Sequence, residues 1–381
     1  MTKSEIRNEI QQLIAKAGEV NPKEALAAQL KGHSKIVLYG AGNMGSTFNS
    51  YIKELRLNTE IYCFLDRNAD EKPEYLGYPV YKPDDACLDS DFRKEVLVIL
   101  TLLMSENAYD ELVTQLRSMG YENFVNAYNL LGIGDSCLGD RGIFKKKERE
   151  ILAAFDILSD DNSQKVFLSI FRAYIMLDYN LPVQNPDMTQ YVNVNVPFRH
   201  KYHSFVDCGA FIGDTLEELV KSHKIEFYIG FEPDVQNYAK LSQKVNVLRD
   251  KMGQAVLLPL GVGDKNEFLH FSATAGGNSC ISETGSVIVQ TVCLDDVLKG
   301  YDRLMIKMDI EGAEVAALEG AKRIISETKP DLAICVYHKV SDLWRIPLML
   351  KEWVPEYKFY IRNHFIGTYE TVLYATLGED E

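Results

Sequence analysis

The chain has 381 residues, of which 46% are hydrophobic, so it is long enough for two domains with separate cores. Its formal net charge of −14 argues against nucleic acid as the main partner, because phosphate binding requires a basic surface. No apolar run approaches the ~20 residues of a membrane span, and the polar N-terminus (MTKSEIRNEIQQL) lacks the apolar core of a signal peptide. We therefore expect a cytoplasmic protein without a membrane span.

The cysteines argue against disulfide bonds and against structural zinc. The seven cysteines form no C-x-x-C pair and are widely scattered: Cys63, Cys87, Cys137, Cys208, Cys280, Cys293 and Cys335. An odd, scattered set is typical of free thiols in a reducing compartment. No other residue spacing requires a metal, so we expect none.

The pattern of helices and strands divides the chain into four parts. They are a helical lead, a small α/β domain, a helical linker and a larger α/β domain: residues 1–33, 34–135, 136–200 and 201–381. The lead is expected to form two helices broken at Asn21-Pro22. In both α/β domains the alternation of strands and helices predicts a parallel sheet with covered faces.

The small domain opens with a glycine turn between a strand and a helix. Strand KIVLYG leads into the turn, and Asp66 ends the next strand, EIYCFLD. In dinucleotide-binding proteins such a turn lets the backbone approach phosphates, while the acid binds ribose hydroxyls. The candidate nucleotide-binding residues are therefore Gly40, Gly42, Gly45 and Asp66. The ligand would be NAD or a nucleotide sugar, and a purely structural role for the turn stays open.

The stretch KIVLYGAGNMG…FLDRN…GYPVYKPDD resembles the N-terminal domains of some sugar acyltransferases. The resemblance implies a Rossmann-like domain whose turn meets a nucleotide sugar or no ligand. The domain shows no second half that would complete a dinucleotide cleft. An NAD-linked oxidoreductase and a docking module for a partner protein remain alternatives.

The β/α series of the larger domain begins at Ser204, and its pattern predicts a parallel sheet that ends in an antiparallel hairpin. Its strands are expected at SFVDCG, FYIGFE, AVLLPLGV, LMIKMDI and DLAICVY, with a hairpin of YKFYIR and TVLYATL. This arrangement is the architecture of class I methyltransferases. The predicted fold class is therefore α/β, a class I methyltransferase sheet preceded by a smaller Rossmann-like domain.

A second glycine turn, VDCGAFIGDT, has the pattern D-x-G-x-x-x-G. S-adenosylmethionine has no pyrophosphate, and glycines without a Cβ would leave room for its methionine arm. A carboxylate suits its sulfonium, and Glu232 at the next strand end can accept hydrogen bonds from both ribose hydroxyls. The candidate donor-binding residues are Asp207, Gly209, Ala210, Phe211, Gly213, Asp214, Thr215 and Glu232. The alternative is that the glycines only shape a turn and Glu232 only caps a helix.

The stretch LMIKMDIEGAE places charges in a predicted central strand. Lys307, Asp309 and Glu311 share one side of this stretch, because side chains alternate along a strand. Central parallel strands are normally apolar, and buried charges are tolerated when they pair or serve a site. We therefore expect Lys307 and Asp309 to contribute to the donor site, with an ion pair between these two residues as the alternative.

KMDIEGAE resembles the K-x-D-x-E-G-x-E signature of FkbM-family methyltransferases. VDCGAFIGDT, GFEPD, LGVGDK and VCLDDVL resemble other blocks of that family in the same order. The resemblance covers residues 190–376 and does not include the small N-terminal domain. It implies S-adenosylmethionine as cofactor and O-methylation of a sugar or another hydroxyl, such as that of a glycan precursor.

The acceptor hydroxyl must lose a proton, and residues at the strand ends are candidates for the base. They are Asp309, Glu311 and His338, with His364 of the hairpin as a further candidate. Three aromatic residues are candidates for stacking on a sugar ring, with ordinary packing as the alternative: Tyr191, Tyr337 and Trp344. The loop FSATAGGNSC is expected to reach over the acceptor pocket. A homo-oligomer is compatible with the sequence.

Overall fold

The structure is a computed structural model of the chain. It describes residues 1–19, 22–55, 59–102, 106–127, 142–176, 183, 189–192, 194–272, 280–281, 287–365 and 367–379. The expectations for Cys137, for much of the linker and for most of the FSATAGGNSC loop lie outside these residues.

The two predicted helices at the start of the chain are present. They are α1 (Lys3–Lys16) and α2 (Pro22–Gln29). A capping box starts α1, in which Thr2 and Glu5 satisfy each other's backbone N–H groups. The apolar residues of α1 recur at helical spacing and are buried: Ile6, Ile10, Leu13 and Ile14.

The N-terminal unit, residues 22–127, contains a six-stranded sheet. Its strands are β1 (Lys35–Tyr39), β2 (Glu60–Leu65), β3 (Glu74–Tyr75), β4 (Tyr78–Tyr81), β5 (Leu97–Leu100) and β6 (Asn123–Asn126). Its further helices are α3 (Asn43–Leu55), α4 (Ser90–Glu95) and α5 (Glu106–Ser118). The strand order is β3-β4-β2-β1-β5-β6, and all pairs are parallel except β3 with β4. The glycine turn follows β1, where the strand order reverses its direction.

The linker helices pack with α1 on the C-terminal sheet. They are α6 (Ile143–Lys146), α7 (Glu148–Asp156) and α8 (Asp161–Met176). One hydrophobic core contains side chains from α1, α6, α7 and α8 together with strands of that sheet. The C-terminal unit therefore comprises α1 and the described residues between 142 and 379, whereas Leu26 and Leu30 lie in a core of the N-terminal unit.

The C-terminal unit contains a seven-stranded sheet. Its strands are β7 (Ser204–Cys208), β8 (Ile225–Phe231), β9 (Met252–Leu258), β14 (Leu304–Met308), β15 (Asp331–Cys335), β16 (Lys358–Asn363) and β17 (Thr371–Thr376). The order is β16-β17-β15-β14-β7-β8-β9, and β17 is antiparallel to both of its neighbours. Its further helices are α9 (Asp214–Ser222), α10 (Val235–Leu248), α11 (Leu294–Val297), α12 (Glu314–Glu319), α13 (Lys322–Thr328) and α14 (Asp342–Trp353). The predicted fold class and closing hairpin are confirmed.

The prediction of one strand at AVLLPLGV is wrong. Pro259 has no N–H to donate to a strand ladder, and β9 ends before it. The remainder, β10 (Gly261–Val262), joins a separate four-stranded sheet with β11 (Phe268–Ser272), β12 (Cys280–Ile281) and β13 (Val287–Val292). The order in this smaller sheet is β10-β13-β11-β12.

Candidate active site

The polar residues predicted for the strand ends lie at one edge of the C-terminal sheet, here called the carboxyl edge. Lys307 of β14 is the register partner of Asp207 of β7, which in turn pairs with Gly230 of β8. Glu232 follows β8, and Asp309 follows β14. Parallel strands that end together bring side chains from distant parts of the sequence into one place.

Lys307 and Asp207 form a buried ion pair. The Lys307 Nζ atom lies 3.0 Å from Asp207 Oδ1 and donates to the Gly209 carbonyl at 2.7 Å. Burial acts to lower the pKa of Lys307, but Asp207 outweighs it and raises the pKa, so the ammonium stays charged. The ion pair expected as an alternative, between Lys307 and Asp309, is replaced by this one. Asp207 is fully buried and also accepts from the Tyr228 hydroxyl at 3.1 Å, so it fixes Lys307 and the turn.

The two glycines of the turn are required by the backbone conformation and by close neighbouring atoms. Gly209 has φ +78°, and a Cβ on it would lie 2.0 Å from the Asp309 carbonyl oxygen. Gly213 has φ +81°, and its Cβ would lie 3.0 Å from Leu241 Cδ1. The expectation that these glycines make room for a methionine arm is therefore corrected, because both have a positive φ and a Cβ on either would meet protein atoms.

Glu232 is buried and is held by backbone donors. Its carboxylate accepts from the Phe211 N–H at 2.8 Å and from the Asp234 N–H at 2.9 Å. Burial raises the pKa of Glu232 to about 7. Asp234, and not Glu232, caps α10. Since each carboxylate oxygen has two lone pairs, Glu232 can accept further hydrogen bonds.

The other predicted residues of the turn lie beside Glu232. Ala210 is buried, and its N–H donates to the Phe231 carbonyl at 2.9 Å. Phe211 has φ +47°, a backbone conformation that is strained for any residue other than glycine. Asp214 and Thr215 begin α9.

Asp309 is the centre of a second cluster at the carboxyl edge. It accepts from the hydroxyls of Tyr191 at 3.1 Å and Tyr337 at 3.2 Å. Burial acts to raise the pKa of Asp309, but Lys307 and His338 outweigh it and hold the pKa below its ordinary value. Asp309 is therefore a carboxylate within the cluster.

His338 lies between carboxylates of this cluster. Its Nδ1 atom is 2.9 Å from Glu314 Oε1, and its Nε2 atom is 3.6 Å from both Asp309 Oδ1 and Glu311 Oε2. Its side chain is only 10% exposed. Burial acts to lower the pKa of His338, but Glu314 and the other carboxylates raise it to about 9.

Glu314 was not predicted as a site residue. It is fully buried and accepts from the Ile310 N–H at 3.0 Å, so its carboxylate is fixed before it meets His338. It is the last acid of KMDIEGAE and opens α12. Its place in that stretch was the one available signal, since the spacing does not reveal which histidine it meets.

Glu311 is the most exposed acid around His338. Its side chain is 33% exposed, and its backbone has φ +55°. Burial raises the pKa of Glu311 to about 7. Strained residues of this kind are frequent at functional sites.

Other predicted residues are divided between the site and the core. Tyr337 belongs to the cluster, and its ring lies 5.5 Å from that of Tyr369. Trp344 packs in the core against Phe144 and Phe171, so it is not available to a sugar. His364 shares a hydrogen bond of 2.9 Å with the Tyr374 hydroxyl.

Two sets of three potential metal ligands occur within the described part of the chain, and both include Asp309. They are Asp309, Glu314 and His338, and Asp309, Cys335 and Glu370. In the first set, His338 and Glu314 form an ion pair. In the second set, the Tyr191 hydroxyl contacts both Asp309 and Cys335.

The turn of the N-terminal unit is tightly closed. Gly40 has φ +114°, and a Cβ on Gly45 would lie 2.4 Å from the Gly40 carbonyl oxygen. Asp66 accepts from the Ala41 N–H at 3.0 Å and from the Asn68 N–H at 2.9 Å. Asp66, which follows β2, therefore lies at this turn.

Among the residues that the structure describes, every helix is too short or too polar to span a lipid bilayer. The strand order of the C-terminal sheet, its antiparallel β17 and the polar carboxyl edge together define a class I methyltransferase fold. Residues 207–359 match the family model described as the methyltransferase FkbM domain. The C-terminal unit therefore contains an FkbM methyltransferase domain, and the resemblance stated from the sequence is confirmed there.

Comparison with solved structures supports the same fold. The methyltransferase FkbM from Methylobacillus flagellatus KT aligns with a TM-score of 0.64 and 21% identity, over 98% of this chain and 100% of that chain. A putative rRNA-methylase from Clostridium thermocellum aligns with a TM-score of 0.31 and 12% identity, over 49% of this chain and 90% of that chain. The N-terminal domain of human METTL16 in complex with SAH aligns with a TM-score of 0.26 and 15% identity, over 63% of this chain and 99% of that chain. The last two similarities are too low to support a conclusion. No curated protein sequence matches the chain significantly.

Proposed function

We propose that the C-terminal unit transfers a methyl group from S-adenosylmethionine to a hydroxyl of a sugar or glycan precursor. The observation that carries this proposal is the position of Glu232 at the carboxyl edge, next to the buried Lys307–Asp207 pair. Glu232 is fixed by the Phe211 and Asp234 N–H groups and keeps lone pairs for two further donors.

The residues of this edge suit the donor. Glu232 would hold the ribose hydroxyls, and the turn from Gly209 to Gly213 would line the methionine side. When bound, the donor supplies a methyl group already activated by a sulfonium. Asp309 and Glu311 place negative charge close to this edge, which favours a cationic ligand. Asp207 would not contact the donor itself. Its ion pair with Lys307 keeps that lysine and the glycine turn in place.

The acceptor site would be the cluster around His338. A histidine with a pKa of about 9 is protonated at neutral pH, so it donates a hydrogen bond to the acceptor oxygen or to a neighbouring carboxylate. Glu311 has a pKa of about 7, so it is half ionised at neutral pH, and its side chain is more exposed than that of His338. Glu311 would take the acceptor's proton as the oxygen–carbon bond forms and the carbon–sulfur bond breaks.

The surroundings of Asp309 suit a polar ring such as a sugar. Tyr337 and Tyr369 present two tilted aromatic rings, and Gln190 donates to Glu370 nearby. Aromatic faces with hydrogen-bonding groups at their edges bind sugars through both contacts. These features support a sugar hydroxyl as the methylated group.

The test is methyl transfer from isotopically labelled S-adenosylmethionine to a panel of sugars, nucleotide sugars and glycan precursors. Mass spectrometry would locate the added methyl group. We expect a labelled ether on one acceptor class and a large loss of turnover in Glu311→Gln. Methylation of nitrogen or carbon in place of oxygen, or no transfer to any of these acceptors, would contradict the proposal.

A further inference from the structure

The two glycine turns of the chain hold their acids in the same way. In the C-terminal unit, Glu232 accepts from the Phe211 N–H of the turn and from an N–H two residues after itself. In the N-terminal unit, Asp66 accepts from the Ala41 N–H of its turn and from the Asn68 N–H. Each acid is thus oriented at a strand tip with lone pairs to spare.

Gly42 is unlike the other glycines of these turns. A Cβ on Gly42 would meet no protein atom within 4 Å, and its φ does not require glycine. At Gly40, Gly45 and Gly209, the backbone conformation or a close contact accounts for glycine. Neither reason applies at Gly42, which leaves open space in front of the turn at the start of α3. In dinucleotide-binding turns, the second glycine lets the backbone approach a pyrophosphate.

A cavity of about 160 Å³ lies beside the tips of three neighbouring strands, β1, β2 and β4. Tyr39 and Arg67, which line it, are the residues just before Gly40 and just after Asp66. Leu116 and Met119 form an apolar part of its wall. The volume exceeds the ~30 Å³ share of one water several times, so the cavity has room for part of a ligand.

Charged groups of both signs surround this space. Lys72 lies at the turn, where its Nζ atom donates to the Ala41 carbonyl at 2.8 Å. Lys82 lines the cavity and pairs with Asp70. Within the described part of the chain, Arg67 forms no hydrogen bond or ion pair. Asp84 also lines the cavity, so Lys72 and Arg67, which pair with no acid in the described part of the chain, are the cations that would favour an anionic ligand.

We infer that the N-terminal unit binds a ribonucleoside diphosphate, at a second site separate from the proposed donor site. The phosphates would lie at Gly42 and the first turn of α3, beside Lys72. Asp66 would accept from the ribose hydroxyls, and the base would enter the cavity lined by Tyr39 and Leu116. This site does not depend on the proposed methyl transfer.

The experiment is titration calorimetry of the full chain with ADP, UDP, GDP and CDP. Saturating S-adenosylhomocysteine is present to block binding of the nucleotides at the donor site. We expect saturable binding of at least one nucleotide, and at least tenfold weaker binding in Gly42→Thr. Threonine is about as favourable as glycine just before a helix, so the melting temperature should not change. Its side chain would fill the space left open at Gly42.

Two further variants separate this site from the donor site. Asp66→Asn should weaken the nucleotide and leave S-adenosylhomocysteine binding unchanged, whereas Glu232→Gln should do the reverse. The inference is overturned if none of the four nucleotides binds at millimolar concentration. It is equally overturned if Gly42→Thr binds like the wild type, or if Glu232→Gln abolishes nucleotide binding. Because no step requires methyl transfer, failure of the proposed function would not affect this result.

Discussion

Lys307 and Asp207 are direct partners in the register of two neighbouring parallel strands, and their side chains pair at 3.0 Å. Both are almost fully buried, with side-chain exposures of 4% and 0%. A central parallel strand is normally apolar, so one buried charge here is tolerated only because the other compensates it. The pair ties together the turn after β7 and the end of β14, the two segments that frame the proposed donor site.

Removing one member of this pair should be strongly destabilising. We expect Lys307→Met to lower the free energy of unfolding by ~3–5 kcal/mol, because it leaves Asp207 buried without its counter-charge. The double variant Lys307→Met/Asp207→Asn should lose less, since no charge remains. Lys221→Met, which breaks an exposed pair with Glu218, is the matched control and should cost under ~1 kcal/mol. Urea denaturation measures all three, and a Lys307→Met value as small as the control would refute the argument.

The pH dependence of turnover should follow Glu311. Its pKa of about 7 means that the carboxylate, the form able to accept a proton, accumulates as the pH rises through neutrality. We expect turnover to rise over that range in the wild type, and to fall ~10²- to 10⁴-fold in Glu311→Gln with the rise abolished. The control Glu319→Gln, an exposed glutamate of α12, should behave like the wild type. A Glu311→Gln enzyme with an unchanged pH profile would assign the base elsewhere.

Glu314 should set the protonation of His338. Glu314→Gln keeps an oxygen for the Ile310 N–H but removes the negative charge 2.9 Å from Nδ1. The pKa of His338 should therefore fall from about 9. Burial disfavours the charged imidazolium, and the variant lacks the Glu314 carboxylate that offsets this effect. NMR titration of labelled histidine measures this directly, again with Glu319→Gln as the control. A pKa that stays near 9 in Glu314→Gln would show that another group charges the ring.

Much of the fold could be predicted because its strands carry continuous apolar runs. The LMIKM run of β14 is fully buried, as its composition suggested, and the closing hairpin distinguished the sheet from that of a dehydrogenase. The position of α1 could not be predicted in the same way. Its apolar stripe shows that one face is buried but not which core that face joins, and it packs against α8 of the C-terminal unit.

The sequence could predict which site residues lie together where those residues stand at the ends of strands. It could not do so where the path of a loop determines their positions. Asp207, Glu232, Lys307 and Asp309 meet because parallel strands end together. The contact between Glu314 and His338 depends on how two segments bend after β14 and β15, and no periodicity in the sequence encodes it. The roles of Gly209 and Gly213 could not be predicted, because a missing Cβ can serve a ligand, a positive φ or a close contact with protein atoms.

The central claim is that Glu232 and the turn beside it bind the nucleoside of the methyl donor. Titration of S-adenosylhomocysteine into the wild type and into Glu232→Gln tests it most directly, with a thermal melt of each variant to verify folding. We predict one binding site in the wild type and a dissociation constant at least about tenfold larger in the variant, since hydrogen bonds to a charged group contribute ~1.5–3 kcal/mol. Equal affinity in the two proteins, or a folded wild type that does not bind S-adenosylhomocysteine, would contradict the claim.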